Sequence, residues 1–404
     1  MMNYFFNEMP QYQSTLAPQD AAVLSIEGAA EVRRILDLRD HSQPTPMHHL
    51  PALAAQLGVA DIHIKDEGHR LGLGSFKALG GAYALMRLVQ AEASKRLGRC
   101  VPAQDLLTSE VRAIAEQMTF ACATDGNHGR SVAQGAQIMG ARAVILVHSG
   151  VSDARIQAIA NFGADIIRVK GNYDDSVTEA SRVSAEKGWT VLSDTSWPGY
   201  EDIPGLVMQG YTAIVQEALQ QLSDRPTHVF LQAGVGGFAA AIAGHFAVIE
   251  GEHRPNVTVV EPDRAACLMD SARAGQPVRT AETEPTIMAM LECYEPSLTA
   301  FRVLSRVADG FMTVGEQTAP AVMRLLANPQ GDDPAIVAGE SGAVGLAGAM
   351  AVLGNPELSA KIGLGASSRL LFINTEGATD PALYQQIVGR SPAEVAAQTG
   401  GDSK

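Results

Sequence analysis

The chain has 404 residues, 46% of them apolar and 18% charged, and carries a formal net charge of −14. That length exceeds what one ordinary core serves, so two lobes are expected. The acidic balance, with no basic stretch, excludes a footprint for a phosphate backbone and hence a nucleic-acid partner. The four cysteines show no C-x-x-C spacing, which points to no metal and no redox pair and fits a reducing, cytoplasmic setting. No segment is long and apolar enough to span a membrane, and "MMNYFFNEMPQYQ" has neither the basic nor the apolar region of a signal peptide.

In chain order, "AAEVRRILDLRD" has helical spacing, and "SQPTPMHHL" is a turn leading into a segment held extended by its prolines. "ADIHIKDEG" alternates as a strand does. "FKALGGAYALMRLVQAEASKRLG" is helical by period and composition. From residue 118 onward short Val- and Ile-rich runs alternate with helices: "MTFACA", "ARAVILVHSG" and "ADIIRVKG" are strands, while "SDARIQAIANFG" and "NYDDSVTEASRVSAEKG" are helices. The pattern resumes with the helix "YTAIVQEALQQL", the strand "THVFLQAG", the helix "GGFAAAIAGHFAVI" and the strand "NVTVVEP". It closes with the helix "SGAVGLAGAMAVL" and a last buried strand, "SRLLFINTEG". Such alternation specifies an α/β fold of mostly parallel sheets flanked by helices, with ligands at the carboxyl ends of strands. The strand–helix count divides it into a large domain of 1–75 and 199–404 and a small one of 76–198.

Three glycine-bearing loops stand out. In "QAGVGGFAAAIAG" a strand ends at Gln232, Gly234, Val235, Gly236 and Gly237 follow, and a helix of small residues begins, which makes an anion site of exposed backbone N–H groups. The spacing also satisfies G-x-G-x-x-A with Glu261 one strand later, so a nicotinamide-dependent oxidoreductase is a second reading, and a close-packed turn a third. "CATDGNHGR" sets Thr124, Asp125, Gly126, Asn127 and His128 at a helix start, where an Asx-turn is the plain alternative. In "LGLGSFKALGG" Lys77 follows Phe76 and precedes Ala78, Gly80 and Gly81, a setting that leaves room for a flat ligand and lowers a lysine's proton affinity by desolvation. A solvated helix-starting lysine is the plain alternative.

The order Ser-Phe-Lys, Gly-Asn, then a glycine triplet resembles the fold type II, tryptophan synthase β-like class of pyridoxal-phosphate enzymes. "QPTPMHHL" resembles the loop that precedes the class's lysine segment. "ATDGNHGRSVA", "VLSDTSWPGYEDIPGLVMQGY", "LQAGVGG", "GNPQGDDPAIVAGESGAVGL" and "INTEGATD" resemble the diaminopropionate ammonia-lyase family over roughly residues 40 to 380. The resemblance implies pyridoxal 5′-phosphate as cofactor, a homodimer, and α,β-elimination of L- and D-2,3-diaminopropionate to pyruvate and ammonia. It implies Lys77 as the lysine joined to the cofactor aldehyde, Asn127 at its 3′ oxygen, Gly234, Val235, Gly236 and Gly237 at its phosphate, and Thr375 at the pyridine nitrogen. Lys77 would take the proton from one face of the substrate, and Asp125 with Asp194 from the other. Thr124, Asp125, Gly126 and His128 would bind the substrate. Where the family shows Gly-Leu-x-Cys-Gly-Glu-Pro, this chain reads "MAMLECYEP", which sets Met290, Glu292 and Tyr294 among small-residue positions and reshapes the substrate side at Tyr294. Alternatives are a lyase or dehydratase of another 3-substituted or 3-hydroxy amino acid, which Asp125 disfavours because a neutral hydroxyl needs no carboxylate beside it, and a cofactor-free binding protein.

Overall fold

Two sheets, one mostly and one wholly parallel, organise the chain. The computed structural model describes residues 2–124 and 126–399. The chain divides into two compact units, unit 1 comprising Met1–Ser25, Gln43–Arg70 and Ile214–Lys404, and unit 2 comprising Ile26–Ser42 and Leu71–Ala213. The small domain expected at 76–198 falls inside unit 2, which also takes in 26–42, 71–75 and 199–213.

Unit 1 holds a seven-stranded sheet. Its strands are β1 (Asn3–Phe6), β2 (Met47–His49) and β3 (Asp61–Asp66), then β8 (His228–Gln232), β9 (Asn256–Pro262), β10 (Gly310–Val314) and β11 (Arg369–Asn374). The order is β1-β10-β9-β8-β11-β3-β2, parallel through the five inner strands and antiparallel at both edges. The last strand in sequence, β11, therefore sits between β8 and β3. β8 and β10 are buried along their whole length, so neither shows the alternation of a half-buried strand. The Val344–Leu353 helix lies closely on this sheet: a Cβ at Gly348 would stand 2.8 Å from Val260 Cγ2, so glycine here permits the contact. Phe230, Val260, Met312, Leu346, Leu370 and Phe372 belong to the resulting core.

Unit 2 holds a four-stranded parallel sheet, β6-β5-β4-β7, built from β4 (Thr119–Ala123), β5 (Arg142–His148), β6 (Asp165–Val169) and β7 (Thr190–Val191). The helix Asp153–Ala160 starts at Ser152, whose side chain accepts the Arg155 N–H, and Tyr173–Lys187 starts on a capping box made by Asn172 and Asp175. In the Lys77–Leu97 helix every residue from Ala78 to Met86 is buried. A Cβ at Gly80 would meet the Tyr211 ring and Val207 at 2.7 Å, and one at Gly135 would meet Ala82 Cα at 2.8 Å. The glycines after Lys77 thus serve helix–helix contact, which corrects the expectation that they leave room for a flat ligand.

Candidate active site

In unit 2, Lys77 opens its helix just after β3 and a short 3₁₀ turn (Glu67–Gly72). Its Nζ lies 2.9 Å from Asp194 Oδ2, with the two side chains 24% and 16% exposed. Asp194 belongs to the "SDTSWPGY" loop that follows β7. The Tyr200 hydroxyl shapes that loop by donating to Val191 O at 2.8 Å and accepting the Ser193 N–H at 3.1 Å, and the Tyr200 ring stacks on Trp197. Burial alone would raise the Asp194 carboxyl, but the Lys77 ammonium beside it outweighs that and holds it well below the usual carboxylate range.

The Asn127–Met139 helix begins where β4 ends. Thr124 Oγ1 accepts the N–H groups of Gly126 (3.0 Å) and Gly129 (3.1 Å), so this hydroxyl is committed to shaping the turn. Asn127 is the first helical residue and is buried. His128 is buried too; its Nε2 is 3.0 Å from Leu192 O, and since a carbonyl only accepts, Nε2 carries the hydrogen. Its Nδ1 has no hydrogen-bond partner among the described residues and stands 3.9 Å from Asp194 Oδ2. Burial lowers the His128 pKa, keeping the ring neutral. Asp125 lies outside the described residues. A cleft of 510 Å³ elsewhere in unit 2, lined among others by Leu71, Arg112 and Gln134, includes neither Lys77 nor Asp194, so side-chain chemistry rather than cavity size locates this site.

In unit 1 the glycine loop leaves β8 at Gln232 and enters the Gly237–Glu250 helix. Gly236 has φ +98°, a region that favours glycine, and a Cβ there would meet Leu268 at 3.1 Å and Ala300 at 3.2 Å. A Cβ on Gly234 would stand 2.9 Å from Cys293 Sγ. Among the described residues no acceptor is found for the backbone N–H of Gly234, Val235, Gly236 or Gly237. Four donors without acceptors at the start of a fourteen-residue helix make a cradle for a phosphate, so the loop fits a phosphate-bearing cofactor. Glu261 takes no part in this. It is fully buried, and its two oxygens accept the Leu268 and Met269 N–H groups at 2.8 Å each. The carboxylate imagined on a ribose instead caps the Cys267–Ala274 helix, which removes the physical basis of the nicotinamide reading.

Thr375 follows β11 directly and is buried. Its Oγ1 accepts from Gln232 Nε2 at 2.9 Å, while the same amide donates to Ile373 O at 2.8 Å. Gln232 thus ties the ends of β8 and β11 together and sets the Thr375 rotamer. Neither Gln232 nor Tyr200 stood out in the sequence. The one available signal was a polar residue closing an otherwise apolar strand, "VFLQ". The "MAMLECYEP" segment packs beside the glycine loop, with Leu291 Cα and Met290 O within 3.4 Å of a Gly234 Cβ. The Tyr294 hydroxyl donates to Glu292 Oε1 at 2.9 Å, and Glu292 Oε2 accepts the Thr286 N–H at 3.1 Å. Burial and the neighbouring Glu292 carboxylate push the Tyr294 phenol up to about 12.

This two-sheet fold with its lysine and glycine loop defines a cofactor enzyme: a family described as pyridoxal-phosphate dependent enzyme matches residues 38–376, and the chain belongs to it. It is 40% identical over 362 residues to the diaminopropionate ammonia-lyase of Escherichia coli strain K12, covering 88% of this chain and 89% of that one. The crystal structure of the Escherichia coli enzyme in complex with an aminoacrylate-PLP azomethine reaction intermediate superposes with a TM-score of 0.85 at 36% identity, covering 96% of this chain and 97% of that one. The same enzyme in complex with D-serine gives 0.86 at 36% identity, with coverage of 96% and 97%. Within the pyridoxal-phosphate enzymes, the chain is a member of the diaminopropionate ammonia-lyase family.

Proposed function

We propose that the protein eliminates the β-amino group of 2,3-diaminopropionate, accepting both enantiomers, and yields pyruvate and two ammonia molecules per substrate and water consumed. The reading is carried by the Lys77–Asp194 pair at 2.9 Å, an ammonium held beside an ionised carboxylate at the start of a helix. Pyridoxal phosphate, when bound, supplies an aldehyde that joins an amine and a ring that accepts the electron pair left at Cα.

The chain's own residues do the rest. Gly234, Val235, Gly236 and Gly237 hold the phosphate through backbone N–H groups, and Asn127 meets the 3′ oxygen. Thr375 offers a neutral hydroxyl to the pyridine nitrogen, which leaves that nitrogen unprotonated and favours elimination. Lys77 Nζ moves the Cα proton on one face of the substrate. Asp125, assigned from sequence alone, serves the other face with Asp194 and counters the substrate's β-ammonium. Thr124, Gly126 and His128 line the carboxylate end, and Tyr294 bounds the leaving-group side. Free thiols at Cys100, Cys122 and Cys267 support a cytoplasmic setting, and closed two-fold symmetry, the commonest assembly, supports a homodimer.

The test is an assay for pyruvate and ammonia with purified holoenzyme, offering L- and D-2,3-diaminopropionate beside L-serine and L-threonine. Diaminopropionate turnover well above serine and threonine turnover, with the D-isomer lost in Asp125→Asn, is the expected result. A cofactor-loaded protein that leaves both diaminopropionate enantiomers untouched would refute the reading and move the search to bulkier amino acids that Tyr294 and Glu292 would fit.

A further inference from the structure

We propose that His49, Asp61 and His63 form a binding site for one divalent cation of the zinc class at the edge of the seven-stranded sheet. Elementary strand geometry brings the three together. Side chains two residues apart on a strand share a face, so Asp61 and His63 on β3 point the same way. β2 pairs antiparallel with β3 in a register that sets His49 opposite His63. The two imidazoles stack with centroids 4.8 Å apart and planes 13° from parallel.

Asp61 sits between them. Its Oδ1 is 2.8 Å from His49 Nε2 and its Oδ2 is 3.3 Å from His63 Nδ1. The Ile62 N–H donates to Oδ1 at 3.0 Å and orients the carboxylate from behind. Arg369, the register partner of Asp61 on β11, directs its Nε to Arg225 O at 2.7 Å. All three potential ligand atoms lie within 4.8 Å of one another. Tetrahedral ligands about 2.1 Å from zinc stand about 3.4 Å apart, so the exposed His49 ring must rotate out of its stack on His63 to bring its in-plane lone pair to a shared ion and complete three vertices. The fourth is open to water.

Two imidazole nitrogens and one carboxylate oxygen select zinc, nickel or copper over magnesium and calcium, which require oxygen-rich shells. No sequence motif announces the site, because its ligands converge through cross-strand register rather than through spacing along the chain. That is why the cysteine spacing pointed to no metal. Occupied, the site clips β2 to β3 by coordination as well as by backbone hydrogen bonds.

The experiment titrates zinc chloride into chelator-treated, dialysed holoenzyme by isothermal calorimetry, with wild type beside His49→Ala, His63→Ala and Asp61→Asn. His49 is exposed, so His49→Ala keeps the fold; circular dichroism and unchanged turnover verify this. The expected result is one saturable zinc equivalent per chain in wild type, not displaced by millimolar magnesium. His49→Ala and His63→Ala weaken it at least tenfold, and zinc raises the thermal midpoint of wild type alone. The proposal is overturned if wild type shows no saturable zinc binding, or if His49→Ala and His63→Ala bind zinc as wild type does.

Discussion

Lys65 and Lys77 belong to the same sequence segment, and their surroundings are opposite. Lys65 is fully buried in unit 1, and its Nζ meets Thr45 O, Gln221 Oε1 and Glu217 Oε2, each at 2.8 Å. Around it Arg70 forms two-pronged pairs with Glu67 and Glu217 at 2.6–2.8 Å, and Thr45 Oγ1 donates to Glu67 Oε1 at 2.7 Å. Two cations and two anions balance, and every ammonium hydrogen of Lys65 is spent. Lys77, in unit 2, faces Asp194 with a quarter of its side chain exposed, beside a histidine whose Nδ1 has no hydrogen-bond partner among the described residues. A saturated ion lattice fixes backbone. A lysine beside one carboxylate at an accessible position has room to change partners.

The sharpest way to break that contrast is Lys77→Ala. Turnover should fall by at least about 10³-fold, because nucleophile and base are lost together, and the thermal midpoint of the cofactor-free protein should fall as well, because the Asp194 carboxylate loses its counter-charge. Asp194→Asn should follow, with kcat down by about 10²-fold or more and a smaller change in KM, since the counter-charge to Lys77 is removed while shape is kept. Lys65→Met should act on stability instead. It leaves an uncompensated buried charge at a cost of about 3–5 kcal/mol, read as a lower thermal midpoint with kcat per folded molecule unchanged. Abolished turnover in a well-folded Lys65→Met would erase the distinction between the two lysines.

Gly80→Ala sharpens the comparison from another side. The added methyl meets Tyr211 and Val207 at 2.7 Å, an overpacking cost of about 1–3 kcal/mol, visible in the unfolding midpoint. The smallest effect is an acid-side slope. Because the Asp194 pKa is depressed in the folded protein, its stabilisation is complete above the unfolded value of about 3.9 and is lost as pH falls through the folded value. The thermal midpoint of cofactor-free wild type should therefore drop on acidification below about pH 4, and that of Lys77→Ala should drop less steeply.

Four of the five inner strands of the seven-stranded sheet (β3, β8, β9 and β11) were legible because Val- and Ile-rich runs between glycine turns leave few alternatives. The edge strands were not: β1 and β2 are four and three residues long, too short for a period, and exist because β10 and β3 offer them ladders. β10, "GFMTV", escaped notice because it lacks the Val-Ile density of its neighbours. The strand–turn–helix settings of the Asn127 and Gly234 loops could be read directly. Glu261 misled because spacing alone cannot tell a ribose-facing acid from one that caps a buried helix. The lobe boundary was hidden because it falls inside one continuous helix, Asp202–Gln221, where composition does not change.

The place of β11 has a consequence for biosynthesis. Asn374 donates to Asp66 across 308 residues of chain, and β11 fills the gap between β3 and β8. On the ribosome the sheet of unit 1 stays split, with the edges of β3 and β8 uncovered, until residues 369–374 have emerged. The segment of unit 2 that runs from 71 to 213 is by then complete and able to collapse on its own four strands. The nascent chain therefore carries two open strand edges from the emergence of β8 until that of β11, the interval in which a chaperone that shields such edges would matter most.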